Sequence, residues 1–141
     1  MQFTTLLGAL ALTAAASVQA TVQVLYDQGY DDASRTMDDV ACSNGANGLE
    51  TRYGYETQGA IPDFPYIGSA AAIAGWNSPN CGTCWQLSYG GRTINILAID
   101  HAATGFVISL EAMNALTNNN AVGLGNIQAT AVQVPVSDCG I

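Results

Sequence analysis

The chain is 141 residues long, 49% apolar and only 10% charged, which suits one globular domain and not a disordered or low-complexity tail. Eleven Asp and Glu stand against three Arg (Arg35, Arg52 and Arg92) and no Lys, a formal charge of −8. That balance excludes a basic surface for nucleic acid, disfavours anionic membranes and offers phosphorylated substrates only three scattered guanidinium groups, so a neutral ligand fits better.

At the start of the chain, Leu6 to Ala16 is an apolar, alanine-rich run closed by Val18-Gln19-Ala20, with small residues where a signal peptidase reads. No Lys or Arg precedes the run, and it is too short to span a bilayer. The expectation is a signal peptide over residues 1–20, cleavage after Ala20 and a mature, extracellular domain over residues 21–141. No second apolar segment follows, so membrane insertion is not expected.

Thr21 to Tyr26 alternates Val22, Val24 and Tyr26 on one side and reads as a first strand. Asp31 to Val40, with capping residues at Asp32 and Ser34, reads as a short polar helix. Cys42 to Gly48 is turn sequence, and the prolines of Ile61-Pro62-Asp63-Phe64-Pro65 exclude helix interior there. Ala70 to Ala74 suits a brief helix. Trp85 to Tyr89 and Arg92 to Asp100 flank Gly90-Gly91, a strong hairpin signal, and Ile94, Ile96, Leu97 and Ile99 suit a strand buried on both faces. Phe106 to Leu110 reads as a strand, Ser109 as the cap of a helix over Leu110 to Thr117, and Ile127 to Val136 as a long final strand. Five or six strands with two or three short helices predict a small β-barrel with helices packed outside.

Cys42, Cys81, Cys84 and Cys139 all lie in the mature part, and an even count behind an export signal indicates two disulfides. Three pairings are open. Cys81-Gly82-Thr83-Cys84 lacks the βαβ context of a redox pair, and one CxxC with a single His is too few ligands for zinc. The long-loop pairing would close loops of about 40 and 55 residues, each stabilising by roughly 4 kcal/mol in the chain-entropy model.

Several ordered motifs carry a family resemblance: Val22-Gln23-Val24-Leu25-Tyr26-Asp27, Ala41-Cys42-Ser43-Asn44-Gly45, Gly59-Ala60-Ile61-Pro62, Gly75-Trp76-Asn77-Ser78, Cys81-Gly82-Thr83-Cys84-Trp85 and Ala98-Ile99-Asp100. In type, order and spacing they resemble the cerato-platanins, small secreted fungal proteins, over essentially the whole mature chain. The resemblance implies a six-stranded double-psi β-barrel, similar to barwin and the first expansin domain, with disulfides Cys42–Cys81 and Cys84–Cys139. It further implies binding of N-acetylglucosamine oligomers derived from chitin, loosening of cellulose without hydrolysis, self-assembly at surfaces and elicitation of plant defence, with a plant surface receptor as a partner. Two departures from the family pattern stand out: Gly68-Ser69 in place of Gly-Gly, and His101 where a small residue usually follows Asp100.

Glycoside hydrolysis needs two carboxyl groups flanking the scissile bond. By resemblance Asp100 occupies the position of the acid carboxylate in related barrel endoglucanases, while Asp27, just after a strand, reads better as a loop cap than as its partner. A carboxylate that does not cleave still accepts hydrogen bonds from sugar hydroxyls. The expected carbohydrate-binding set is therefore Asp100, Ser43, Asn44, Tyr26 and Asp27, with Tyr26 also suited to the core; a carboxylate at the barrel rim should contribute little to stability. Trp76 and Trp85, beside cysteines, are expected to pack against the disulfides, and Tyr53 and Tyr55 suit either role. His101 lacks a triad partner, the acidic run from Asp27 to Asp39 lacks EF-hand spacing, and Gly123-Leu124-Gly125 lacks the rest of a dinucleotide fingerprint, so neither metal nor cofactor is expected. The leading expectation is a non-catalytic binder of chitin oligomers and cellulose; an amphiphilic self-assembling surface protein and a weak hydrolase using Asp100 are the alternatives.

Overall fold

The computed structural model describes residues 20–141, so the expected signal peptide lies outside the described residues but for Ala20. Six strands are present: β1 (Thr21–Tyr26), β2 (Ile67–Ala70), β3 (Cys84–Tyr89), β4 (Arg92–His101), β5 (Phe106–Ile108) and β6 (Asn126–Val134). They close into a barrel in the order β1-β5-β2-β4-β3-β6. β1 with β5 and β2 with β4 run parallel, and the other pairs antiparallel. Closure leaves no free edge to template aggregation. Three short helices lie between the strands: α1 (Leu49–Tyr53), α2 (Leu110–Thr117) and α3 (Ala121–Leu124). Among the described residues, no helix is long and apolar enough to cross a membrane.

The hairpin forms where expected. Gly90 and Gly91 have φ of 54° and 79°, the left-handed geometry that a tight two-residue turn requires, and Tyr89 pairs with Arg92 across it. Leu87, Ile96, Leu97 and Ile99 are fully buried, and α2 adds Met113 and Leu116 to the same core. The Ser109 hydroxyl accepts from the Ala112 amide at 3.1 Å and starts α2 where the sequence predicts it. The disulfides join Cys42 to Cys81 and Cys84 to Cys139, the connectivity the resemblance implies, across separations of 39 and 55 residues.

Two elements depart from expectation. No helix spans Asp31 to Val40; two 3₁₀ turns, Gln28–Asp31 and Met37–Asp39, occupy the region. Asp32 Oδ1 accepts from both the amide and the hydroxyl of Ser34, and the Met37 amide donates to the Glu56 carbonyl, so the segment's polar groups are spent outside a helical ladder. Ala70 to Ala74 is likewise not helical. Ala70 ends β2, and the Ala71 amide is claimed by the Gly105 carbonyl at 2.9 Å.

Candidate functional site

The long strand β4 ends in Asp100 and His101, and three separate segments converge on that end. Asp100 is half-buried. Its Oδ1 accepts from the Ala41 and His101 amides, both at 2.9 Å, and its Oδ2 accepts from the Tyr30 hydroxyl at 2.9 Å. Burial, reinforced by the Asp100 charge, pushes the Tyr30 phenol far above its ordinary value, so it remains a donor. With three of about four acceptor positions occupied, Asp100 holds the first 3₁₀ turn and the loop segment leading into Cys42 against the barrel.

Beyond Ala41 the chain turns tightly. The Cys42 amide donates to the Ile99 carbonyl, the Cys42 and Ser43 carbonyls accept from the first amides of α1, and Ser43 is buried. Gly48 makes this turn feasible, because a Cβ there would stand 2.1 Å from the Ser43 carbonyl oxygen. Asn47 binds Asn77 twice, from its amide to Asn77 Oδ1 at 2.9 Å and from Nδ2 to the Asn77 carbonyl at 3.0 Å. With the Cys42–Cys81 bridge behind them, the 41–48 and 75–81 loops form one unit.

On that unit stands Trp76, 63% exposed. Its Nε1 donates to Asn44 Oδ1 at 2.7 Å, and Gly45 backs the ring so closely that a Cβ there would lie 3.0 Å from Trp76 Cζ2. The expectation that Trp76 packs against a disulfide is therefore corrected: the indole is pinned at its nitrogen and open to solvent. Trp85 is half-buried; its ring meets Phe106 edge-on at 5.6 Å and its Nε1 donates to Thr83 Oγ1. It lines an apolar cavity of about 210 Å³ with Val22, Ala71, Ala72 and Ala131.

His101 is exposed, and its Nδ1 lies 2.6 Å from the Ile73 carbonyl. A carbonyl only accepts, so Nδ1 carries the proton and ties the loop leading to Trp76 down onto β4. Asn44 and Trp76 are thus joined directly, and His101, next to Asp100 in β4, holds the loop that leads to Trp76 through Ile73. Tyr26 packs on the core, and Asp27 accepts from the Gly29 amide at 2.7 Å as the cap of the first 3₁₀ turn, the turn whose Tyr30 reaches Asp100. Tyr53 stacks on Tyr55 at 5.3 Å, and Arg52 lies over Tyr53 while donating to the Cys81 carbonyl. No sequence signal marks Trp76 as exposed, because its orientation is set by Asn44, 32 residues away in the chain, and by the adjoining Gly45. Among the described residues, no group of three or more His, Cys, Asp or Glu is arranged to hold a metal ion.

The family model for cerato-platanin matches residues 22–141. The chain belongs to the cerato-platanin family. It is 43% identical over 129 residues to the heat-stable 19 kDa antigen of Coccidioides immitis, covering 92% of this chain and 88% of that one. Among solved structures it is similar to cerato-platanin 3 from M. perniciosa, at 45% identity and a TM-score of 0.82, covering 86% of this chain and 99% of that one. The solution structure of the fungal elicitor Cerato-Platanin matches at 38% identity and a TM-score of 0.76, covering 84% of this chain and 96% of that one. An expansin from Clavibacter michiganensis shares the fold at 16% identity and a TM-score of 0.53, over 83% of this chain and 50% of the expansin. That likeness places the cerato-platanin barrel in the double-psi class expected from the resemblance.

Proposed function

We propose that this cerato-platanin is exported by its first 20 residues and acts outside the cell as a non-catalytic carbohydrate-binding protein, gripping chitin-derived oligomers and cellulose at the rim that carries Asn44, Trp76 and His101. The carrying observation is Trp76, an indole exposed over 63% of its surface yet fixed by Asn44. A rigid, open aromatic face stacks on the apolar face of a pyranose with little entropy to lose. Asn44 Nδ2 and His101 Nε2 supply polar contacts for hydroxyls beside it, while Asp100 acts by holding Tyr30 and Ala41 in place. Loosening needs only competition for the weak hydrogen bonds between polymer chains. Hydrolysis is not part of the proposal, because Asp100 and Asp27 both serve as acceptors for the protein's own amides. Elicitation of plant defence, which the family resemblance implies, is part of the same reading, and the similar Cerato-Platanin is itself a fungal elicitor.

An NMR titration of the protein with N-acetylglucosamine and cellulose oligomers tests this. Shifts confined to residues 41–48, 73–77 and 101, abolished in Trp76→Ala, are expected; equal affinity in that variant would sink the rim assignment. A second reading, assembly at surfaces, is favoured by Val122 and Leu124, which lie 70% and 43% exposed on α3. Surface-tension lowering that survives Trp76→Ala but not Val122→Ser with Leu124→Ser would mark that activity as separate.

A further inference from the structure

A further cavity lies against α2. It measures about 570 Å³, within the range of ligand clefts, and is lined by Gln28, Asp31, Tyr66, Leu110, Glu111, Asn114, Ala115 and Asn119. Among the lining residues Asp31 is committed to the fold: Oδ2 accepts from the Leu110 amide at 2.7 Å and Oδ1 from the Glu111 amide at 3.0 Å. Asn114 is oriented by accepting from the Ala121 amide at 3.1 Å. Its Nδ2, the amide groups of Gln28 and Asn119, and the Glu111 carboxylate have no hydrogen-bond partner among the described residues, and the half-buried Tyr66 adds an aromatic wall. No basic side chain lines the cleft.

We infer that this cleft is a second glycan site, selective for amino sugars with a free ammonium group. Uncommitted amides match hydroxyls, the Tyr66 ring offers a stacking face, and the Glu111 carboxylate in a cleft without cations selects a positively charged ligand over a neutral or anionic one. The ligand class that combines ammonium, hydroxyls and a ring face is an oligomer of glucosamine. This goes beyond the rim reading and does not depend on it.

The test is an NMR titration of the disulfide-bonded protein with tetraglucosamine, tetra-N-acetylglucosamine and cellotetraose at mildly acidic pH. Tetraglucosamine should shift the amides of Leu110, Glu111, Asn114 and Asn119. Its affinity should fall about tenfold in Glu111→Gln, the loss of one charge-assisted hydrogen bond, and should be unchanged in Trp76→Ala. Glu111 is exposed, so the variant keeps the fold. Absence of those shifts, equal occupancy of the cleft by either neutral-ring oligomer, undiminished binding in Glu111→Gln or loss of binding in Trp76→Ala would each overturn the inference. Binding of the acetylated oligomer at Trp76 is read separately, so failure here leaves the rim proposal standing.

Discussion

The Tyr30 hydroxyl donates to Asp100 Oδ2 at 2.9 Å across 70 residues of chain, and the same carboxylate takes the amides of Ala41 and His101 on its other oxygen. One side chain thereby fastens two covering segments to the end of the longest strand. The rim expected to be energetically idle is instead a junction, because a half-buried carboxylate with three donors cannot be removed without stranding them.

Asp100→Ala should therefore destabilise the fold by about 2–4 kcal/mol, the cost of unpairing a buried phenol and two amides from a charged acceptor. Denaturant midpoints of the variant against the parent protein measure it. A change below about 0.5 kcal/mol would mean that water replaces the carboxylate freely.

Much of this frame is legible in the sequence because its signals are local. Gly90-Gly91 between alternating runs states the hairpin, and Ser109 ahead of Met113 and Leu116 states α2. β2 carries no such signal. Ile67-Gly68-Ser69-Ala70 is wholly buried, and Gly68 is there because a Cβ would meet the Val107 carbonyl oxygen at 2.3 Å, a constraint set 39 residues downstream. The helix expected over Asp31 to Val40 fails for the same reason, since Asp31 is committed to the start of α2. At the site, the motifs identify the loops but not their orientation. A tryptophan five residues before a cysteine reads as core; only the pairing of Asn44 with Trp76 and the bare Gly45 beneath turn it outward.

Asn44→Ala should leave stability within about 0.5 kcal/mol, since Asn44 is exposed, yet weaken glycan binding by freeing the indole to rotate. In a Trp85→Phe background, Trp76 fluorescence anisotropy reports the loss of restraint independently of affinity. Reduced affinity with unchanged anisotropy would assign Asn44 a direct contact role instead.

Asp63 gives the protein a pH dependence of its own. Burial raises its carboxyl from 3.8 to about 7, and Oδ2 has no hydrogen-bond partner in a cavity it shares with Asn95 and Asp138. Because the folded pKa is the higher, the native state holds this proton where the unfolded chain has released it. The contribution of Asp63 is thus intact below about pH 4 and is lost as pH rises towards 7. Asp63→Asn should flatten stability against pH over that window, as urea midpoints at intervals across it will show. A slope identical to the parent's would place the titration elsewhere.

The two disulfides should separate function from stability. Each closes a long loop, so replacing either cysteine pair with serine should cost roughly 4 kcal/mol in the chain-entropy model. Cys42–Cys81 also joins the two loops that carry Asn44 and Trp76, whereas Cys84–Cys139 anchors the C-terminal 3₁₀ turn Val136–Cys139 to β3. Under conditions where both double variants remain folded, loss of the first should lower glycan affinity and loss of the second should not. Equal affinity in the two would show that the Asn47–Asn77 and Asn44–Trp76 hydrogen bonds hold the rim together without the bridge.

Gly48 is the sharpest steric test of the rim. Its φ of −71° is ordinary for any residue, so backbone strain is not the issue; space is. A Cβ would stand 2.1 Å from the Ser43 carbonyl and 2.3 Å from that of Asn44, and both contacts are backbone that cannot rotate away. Relief requires the 43–47 turn to lift, which pulls Asn44 from Trp76 and the Ser43 carbonyl from the Glu50 amide that it accepts at 3.1 Å. Gly48→Ala should cost about 1–3 kcal/mol and weaken glycan binding in the same variant, whereas Gly123→Ala, with open space around its Cβ and no left-handed backbone, should leave binding unchanged. If Gly48→Ala folds with parental stability, the turn is looser than its contacts imply, and Trp76 is not the fixed platform on which the rim depends.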